Sequence, residues 1–187
     1  MTVTSDRYTH LADRFSVVVD SLTPTDWDAA SPCDGWAASD VLDHVMGTQR
    51  DFLAQHGIDA GSSIPGKADA AAAWHAHDAR LRELLADPAV ADLEYDGVFG
   101  RSTIGAAITT FYGFDLIVHR WDLAQAAGRD EVLDAAELDT IEASADGFGE
   151  HLYGEGVCKP AVDVPDDADR QTTVLARLGR RSSVPAA

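Results

Sequence analysis

Apolar residues recur every three or four positions along several stretches of the chain, which is the spacing of one buried face on an α-helix. The first stripe, with Leu11, Phe15 and Val18, predicts a helix over residues 5–22. Similar stripes bounded by turn residues predict helices over 39–55, 68–86, 103–128 (beginning at Ser102 or Thr103), 134–152 and 169–178. Ser39 is the expected N-cap of the second helix, and glycines at 128 and 179 are placed to end two others.

Four long helices joined by moderate loops predict an all-α four-helix bundle over residues 1–155, with a short C-terminal extension over 156–187. The extension holds one short helix and is not expected to be an independent domain. Leu93–Tyr95 and Val98–Phe99 could be extended, and Arg180–Ser183 is expected to be frayed. Helices and strands do not alternate often enough to build a parallel sheet.

The net charge of the chain limits the kinds of molecule that we expect it to bind. The chain has 187 residues, 45% of them hydrophobic, and a formal net charge of −18. Such a charge repels phosphate backbones and anionic lipids, so we expect neither nucleic acid nor membrane as a partner. We expect a small-molecule substrate as the partner, and the sequence leaves undecided whether the chain forms a homodimer. Two cysteines, no signal peptide and no apolar run of about 20 residues predict a cytoplasmic protein.

The predicted fourth helix carries ionisable groups where packing alone would place none. Two carboxylates interrupt its otherwise apolar stripe, which runs Ile104, Ile108, Phe111, Asp115, Val118, Asp122. His119 follows Asp115 by four residues, so the two side chains share a face one turn apart. A buried carboxylate is costly unless it is paired, hydrogen-bonded or bound to a metal. Asp115 and His119 are therefore either a structural ion pair or half of a metal site.

His44, at the edge of the buried face of the second helix, is the third candidate ligand. A single histidine at such a position is more often a satisfied core or boundary residue than a ligand. With Asp115 and His119 it completes two histidines and one carboxylate, the protein ligand set of a catalytic zinc with an open fourth position. Asp122 could orient a ligand histidine by hydrogen bonding or, equally, tie down a loop N–H. It could also be a direct ligand, but we favour a role beside the metal because Asp115 already supplies one carboxylate.

The remaining histidines and the loop before the second helix receive simpler interpretations. His75 and His77 lie two residues apart and do not share a helical face, so both are expected to be solvated. Surface positions are expected for the other three, His10, His56 and His151. Cys33 lacks a neighbouring base in sequence and is interpreted as a structural residue, and Trp36 as a packing anchor.

Two motifs resemble a known family. Pro32-Cys33-Asp34-Gly35-Trp36, followed by Asp40-Val41-Leu42-Asp43-His44-Val45, is similar to an x-P-C-x-G-W … D-L-x-x-H-V pattern. Val118-His119-Arg120-Trp121-Asp122-Leu123-Ala124 is similar to V-H-x-W-D-L-A. Both patterns occur in the DinB-like superfamily, in the actinobacterial branch related to mycothiol-dependent maleylpyruvate isomerase.

The resemblance implies a DinB-like bundle that binds a divalent metal, usually zinc with nickel as the alternative, through His44, Asp115 and His119. In the isomerase the carboxylate is a glutamate, so Asp115 is one methylene shorter. The isomerase also has a second, C-terminal domain that helps to shape its active site, whereas only a short tail follows here. The resemblance therefore does not carry maleylpyruvate isomerisation itself to this chain.

Three functions remain open at this point. The first is a metal-dependent enzyme in which a low-molecular-weight thiol such as mycothiol attacks a small electrophile. The second is a metal-dependent hydrolase, in which the same metal activates water. The third is a non-catalytic helical bundle in which the site only adds stability.

Overall fold

The computed structural model describes residues 3–61, 70–97, 100–154 and 156–182. The fold is all-α, as the periodicity predicted. Its helices are α1 (Val3–Ser21), α2 (Ala38–Gln55), α3 (Ala70–Ala86), α4 (Pro88–Ala91), α5 (Ile104–Ala126), α6 (Ala135–Phe148) and α7 (Arg170–Arg177). None of the helices in this part of the chain combines the length and apolar character that a membrane crossing requires.

Four helices form the bundle: α1, α2, α3 and α5. Helix α5 packs against α1 and α2, and α3 closes the other side by contacting both of those helices. The interior is filled by large side chains with almost no exposed surface, among them Phe15, Leu42, Leu81, Ile108 and Leu116. Packing of these apolar faces, rather than helix propensity, provides most of the stability of such a bundle.

Helix α5 is the central element and is buried on nearly every side. It begins after Thr103, whose hydroxyl accepts a hydrogen bond from the backbone N–H of Ala106 at 3.2 Å. It ends just before Gly128, which has a positive φ of 66° and was the predicted end residue. A helix surrounded by protein places any polar side chain it carries inside the molecule, which is why α5 positions the site.

A short antiparallel hairpin precedes α5. Strand β1 (Glu94–Gly97) pairs with β2 (Gly100–Thr103), with Glu94 opposite Thr103 and Gly97 opposite Gly100. The hairpin agrees with the predicted extended segment at Leu93–Tyr95. The other predicted extended segment, Val98–Phe99, lies outside the described residues.

Two predicted helix ends differ from the structure. The second helix begins at Ala38, and Ser39 is a buried residue of its first turn rather than its N-cap. An isolated bridge between Ala30 and Ala37 keeps the backbone extended up to that point, and the Asp40 carboxylate accepts a hydrogen bond from the Ala37 N–H at 2.8 Å. The predicted fifth helix, 134–152, is α6 followed by a 3-10 turn over Gly149–Tyr153.

The C-terminal segment returns to the bundle. Helix α7 packs on α6, which itself packs on α5. Its last turn ends in a Schellman motif, in which the Gly179 N–H bonds to the Ala176 carbonyl and the Arg180 N–H to the Leu175 carbonyl, both at 3.0 Å. Gly179 ends this helix as predicted. The reversal directs the next residue, Arg180, toward α5.

Candidate metal centre

The structure brings His44, Asp115 and His119 together. Their potential ligand atoms lie within 4.8 Å of one another, although His44 comes from α2 and the other two residues from α5. Nε2 of His44 is 3.9 Å from Oδ2 of Asp115, and the two imidazole rings meet edge to face with centroids 5.1 Å apart. The side chains are 27%, 18% and 8% exposed for His44, Asp115 and His119, so the cluster is mostly buried but open on one side.

Burial sets the charge state of this cluster. It lowers the pKa of His44 to about 4, and the nearby His119 and Arg180 act in the same direction. His44 is therefore neutral at pH 7 and offers a ring lone pair. Burial also raises the pKa of Asp115, an effect that His119 and Arg180 only partly offset. A cation placed among these groups would relieve the cost of keeping the Asp115 carboxylate ionised.

Asp122 fixes the orientation of the His119 ring. Its side chain is fully buried, and its Oδ2 lies 2.9 Å from Nδ1 of His119, three residues earlier on the same helix. An ionised carboxylate only accepts hydrogen bonds, so in the neutral imidazole Nδ1 carries the proton and Nε2 has the lone pair. This is the arrangement in which a carboxylate holds a metal-binding histidine in one tautomer.

Arg180 is part of the site, although sequence analysis placed it in a frayed tail. Its Nε is 3.0 Å from Oδ1 of Asp122 and its Nη2 is 2.9 Å from Oδ2, a two-pronged contact, and its side chain is only 10% exposed. Burial disfavours charge on Asp122, but Arg180 and His119 outweigh it and hold the pKa of Asp122 below its usual range. Arg180 is not frayed as expected, because the Schellman motif places its guanidinium against the buried Asp122 carboxylate.

Cys33 touches the same carboxylate from the loop before α2. Its Sγ lies 3.4 Å from Oδ2 of Asp122 and 3.7 Å from Nη2 of Arg180. Burial and the Asp122 charge raise the pKa of the Cys33 thiol to about 12, with Arg180 acting in the opposite direction. The thiol is thus protonated at pH 7 and is a poor nucleophile.

Cys33, His119 and Asp122 form a second group of potential ligand atoms within 4.8 Å of one another. This group suits a metal less well than the first. The Asp122 carboxylate is already occupied by Arg180, and the Cys33 thiol would have to lose a proton that its surroundings retain. We therefore take His44, Asp115 and His119 as the candidate metal ligands.

Trp36 covers the two histidines, a role that its interpretation as a packing anchor missed. Its ring centroid lies 4.9 Å from that of His44 and 6.5 Å from that of His119. The chain turns back on itself before Trp36, because the Ser31 N–H donates a hydrogen bond to the Trp36 carbonyl at 2.9 Å and Gly35 takes a φ of 75°. The tight loop thereby places an aromatic wall beside the cluster.

A pocket of about 440 Å³ opens onto the cluster. Its lining combines the candidate ligands with aromatic residues of α5 and α6 and with the C-terminal segment. The lining residues that sequence analysis did not select as site residues include Trp36, Phe114, Phe148, Val157, Cys158, Lys159 and Arg180. Segments far apart in sequence supply them, and no spacing rule connects such segments.

His77 was predicted to be solvated, and this is wrong. It is 3% exposed and its Nε2 lies 2.7 Å from Oε1 of Gln49, between α3 and α2. Trp74, His77 and Leu81 follow one another at helical spacing along the buried face of α3. His75 is exposed, as expected, and pairs with Asp20 at 2.7 Å.

The other three histidines lie away from the cluster. His10 and His151 are exposed, as predicted. His56 is half-buried, with its ring against those of Phe52 and Tyr95 at centroid distances of 4.8 and 4.6 Å.

Comparison with known proteins gives a family match and two relatives. The sequence model of the family described as the mycothiol maleylpyruvate isomerase N-terminal domain matches residues 8–124, a range that contains His44, Asp115, His119 and Asp122. Two uncharacterized proteins of Mycobacterium tuberculosis, one from each of two strains, are each 29% identical over 179 residues, which is 90% of the chain and 92% of each relative. No solved structure matches the chain.

Proposed function

The chain belongs to the mycothiol maleylpyruvate isomerase N-terminal domain family, and from this premise we propose that it is a metal-dependent enzyme in which a low-molecular-weight thiol attacks a small electrophile. The observation that carries the proposal is the convergence of His44, Asp115 and His119 on the wall of a pocket. We propose zinc as the metal, with nickel as the alternative, and mycothiol as the thiol.

The donor set fits a divalent cation of this kind. His44 is held neutral by burial, and Asp122 leaves His119 with a free lone pair on Nε2. Asp115 adds one negative charge in a place where burial alone disfavours it. Two neutral imidazoles and one carboxylate are the protein ligands of open catalytic zinc sites.

The chain's own residues would hold and orient the reactants. Zinc, when bound, supplies a Lewis acid that lowers the pKa of a coordinated thiol or water. Asp122 and Arg180 fix the plane of the His119 ring, and Trp36 shields both imidazoles on one side. Cys33 stays protonated next to Asp122, so the chain itself does not offer a competing nucleophilic thiolate there.

Two rival functions use the same residues. A hydrolase would show turnover without thiol, and a merely stabilised bundle would bind metal without turnover. Within the described residues, the ligand group around His44 contains three side chains and faces the pocket. Three protein ligands facing a pocket support an enzyme rather than a closed structural site.

The test is metal analysis followed by a thiol-dependent assay. We expect one zinc per chain by elemental analysis, and a higher melting temperature with zinc than after chelation. Asp115→Asn keeps the shape but removes the charge, so it should lower zinc affinity at least tenfold, and His119→Ala should lower it further. His75→Ala, at an exposed histidine outside the pocket, is the control and should bind zinc normally.

Measurements of turnover distinguish the thiol-dependent enzyme from the hydrolase and from the non-catalytic bundle. The zinc-loaded protein is incubated with mycothiol and a panel of small electrophiles, namely activated alkenes, epoxides and aryl halides, and each reaction is repeated without thiol. Consumption that requires both thiol and zinc supports the proposal. Absence of metal binding, or zinc-dependent consumption that is the same without thiol, would refute it.

A further inference from the structure

The pocket has a polar side and an aromatic side. His44, Asp115 and His119 form the polar side, and the aromatic side begins one helical turn earlier on α5. There Phe111 and Phe114 both meet Phe148 of α6 edge to face, with ring centroids 5.5 and 5.7 Å apart. Aromatic rings in this packing offer a rigid apolar surface to a bound molecule.

Part of this apolar surface is exposed in the pocket. Phe111 is 40% exposed and Val157, on the C-terminal segment, is 49% exposed, and both line the cavity. Phe111 belongs to the stripe that was predicted to be buried, and its exposure is explained by its position on the pocket wall. Apolar area left in water is unfavourable, and an apolar ligand would cover it.

The cations of the pocket are already paired. Among the described lining residues the lysines and arginines are Lys159 and Arg180, and their partners are Asp34 and Asp122. If Arg180 left Asp122 to bind a substrate anion, the buried carboxylate would be uncompensated. Asp34 at the rim and Asp115 inside are themselves acidic, and the whole chain carries a formal charge of −18. Without a bound metal these charges disfavour an anionic ligand, whereas a bound divalent cation would attract an anionic group to the ligand cluster.

Resting on the proposed function, we propose that its electrophile is a small molecule with an uncharged, aromatic or similarly apolar body. The body lies against Phe111, Phe148 and Val157, and its reactive carbon faces the His44, Asp115 and His119 cluster. A cavity of about 440 Å³ is in the size range of small-molecule sites. A dicarboxylate of the maleylpyruvate type has no apolar body to cover this lining.

The first test uses the neutral fluorescent probe N-phenyl-1-naphthylamine, whose emission rises in apolar surroundings. Binding is measured on the full chain, both zinc-loaded and after chelation. Phe111→Ser should weaken it about tenfold, through the loss of one aromatic contact. Leu93→Ser, at a residue with a similar 42% exposure that does not line the pocket, should leave it within twofold of wild type. Circular dichroism checks that both variants are folded.

The second test changes only the charge of the ligand. Cinnamamide and cinnamate share one aromatic body, and each is used to displace the probe. In the chelated protein cinnamamide should displace it at a concentration at least tenfold lower, and Lys159→Gln should not change that ratio. Lack of probe binding, an equal effect of Phe111→Ser and Leu93→Ser, or a preference for cinnamate in the chelated protein would overturn the proposal.

The two proposals fail in distinguishable ways. Normal zinc binding and thiol turnover without probe binding would refute the substrate class alone. Probe binding by the chelated protein together with absent zinc binding would refute the metal-dependent function and leave the aromatic pocket in place.

Discussion

The candidate metal ligand His119 is held in place by its neighbours. Asp122, three residues later, accepts a hydrogen bond from Nδ1–H at 2.9 Å, and Trp36 stacks near the ring. The ring therefore has one orientation and one tautomer before any cation arrives. Such preorganisation matters because partners of this kind commonly contribute 10–100-fold to metal affinity.

At the residue scale, Cys33 should react slowly. Its pKa of about 12 leaves almost no thiolate at pH 8, because burial and Asp122 both disfavour the negative charge. Iodoacetamide should label it far more slowly than free glutathione, as followed by peptide mass spectrometry. Cys33→Ser should retain zinc and turnover. Rapid labelling of Cys33 that abolishes turnover in a folded protein would show that it is the nucleophile.

Sequence reasoning works at this scale where a periodic pattern exists and fails where contacts join distant segments. The stripe on α5 predicted that Asp115 and His119 share one face, and His77 could have been placed correctly by following Trp74 and Leu81. Arg180 lies 58 residues after Asp122 and beyond the last helix, so periodicity says nothing about it. Only the path of the backbone after Gly179 brings them together.

At the element scale, α7 acts as the carrier of Arg180. Arg180→Gln should lower the free energy of unfolding by about 3 kcal/mol or more, because the fully buried Asp122 would lose its cation. Arg177→Gln is the matched control near the same helix end. Its partner, Asp146, is 71% exposed, so this pair is worth about 1 kcal/mol or less. Urea denaturation measures both, and equal losses would contradict the assigned role of Arg180.

The turn after α7 makes a second prediction at this scale. Gly179 has a φ of 77°, and a Cβ there would lie 2.5 Å from Cβ of Lys159. Gly128, at the end of α5, has a similar φ of 66° with no atom within 4 Å of such a Cβ. Gly128→Ala should therefore lower the free energy of unfolding by about 1 kcal/mol through backbone strain alone. Gly179→Ala should lower it clearly more, because the added Cβ also clashes.

Zinc affinity separates the two glycine variants further. Gly179→Ala should also weaken zinc binding, because the turn holds Arg180 against Asp122, whereas Gly128→Ala should not. Titration of each folded variant with a competing chelator gives the affinities. Equal zinc affinities would show that α7 does not support the site.

Helix identities and most helix ends follow from the sequence, because capping residues and glycines mark them locally. Thr103, Asp134 and Asp169 each accept a hydrogen bond from a backbone N–H at a helix start, and the predicted helices began at these positions. Ser39 misled the prediction because a backbone bridge between Ala30 and Ala37 decides where α2 begins. A bridge of that kind is a non-local contact without a local sequence signal.

At the scale of the whole molecule, the bundle carries the candidate ligands and the C-terminal segment completes the pocket. The family match ends at residue 124, before Cys158, Lys159 and Arg180. Helices α2 and α5 therefore carry the candidate metal ligands, and the later segment supplies part of the pocket beside them. This division allows the metal site and the substrate pocket to be tested by separate substitutions.

The buried His77 makes the stability of the whole bundle depend on pH. Burial, with Arg50 adding to it, lowers the pKa of His77 to about 3, whereas an unfolded histidine titrates near pH 6.5. Between these two pKa values His77 is protonated in the unfolded chain but neutral in the folded protein. The free energy of unfolding therefore falls as the pH falls. Between pH 7.5 and 5 this contribution is about 2 kcal/mol.

His77→Gln removes the titrating group, so wild type should lose about that much more stability than the variant over the same interval. Urea denaturation at both pH values measures the difference, with His10→Gln as an exposed control. If the free energy of unfolding changes equally with pH in wild type and His77→Gln, folded His77 accepts the proton and the contact with Gln49 does not hold it neutral.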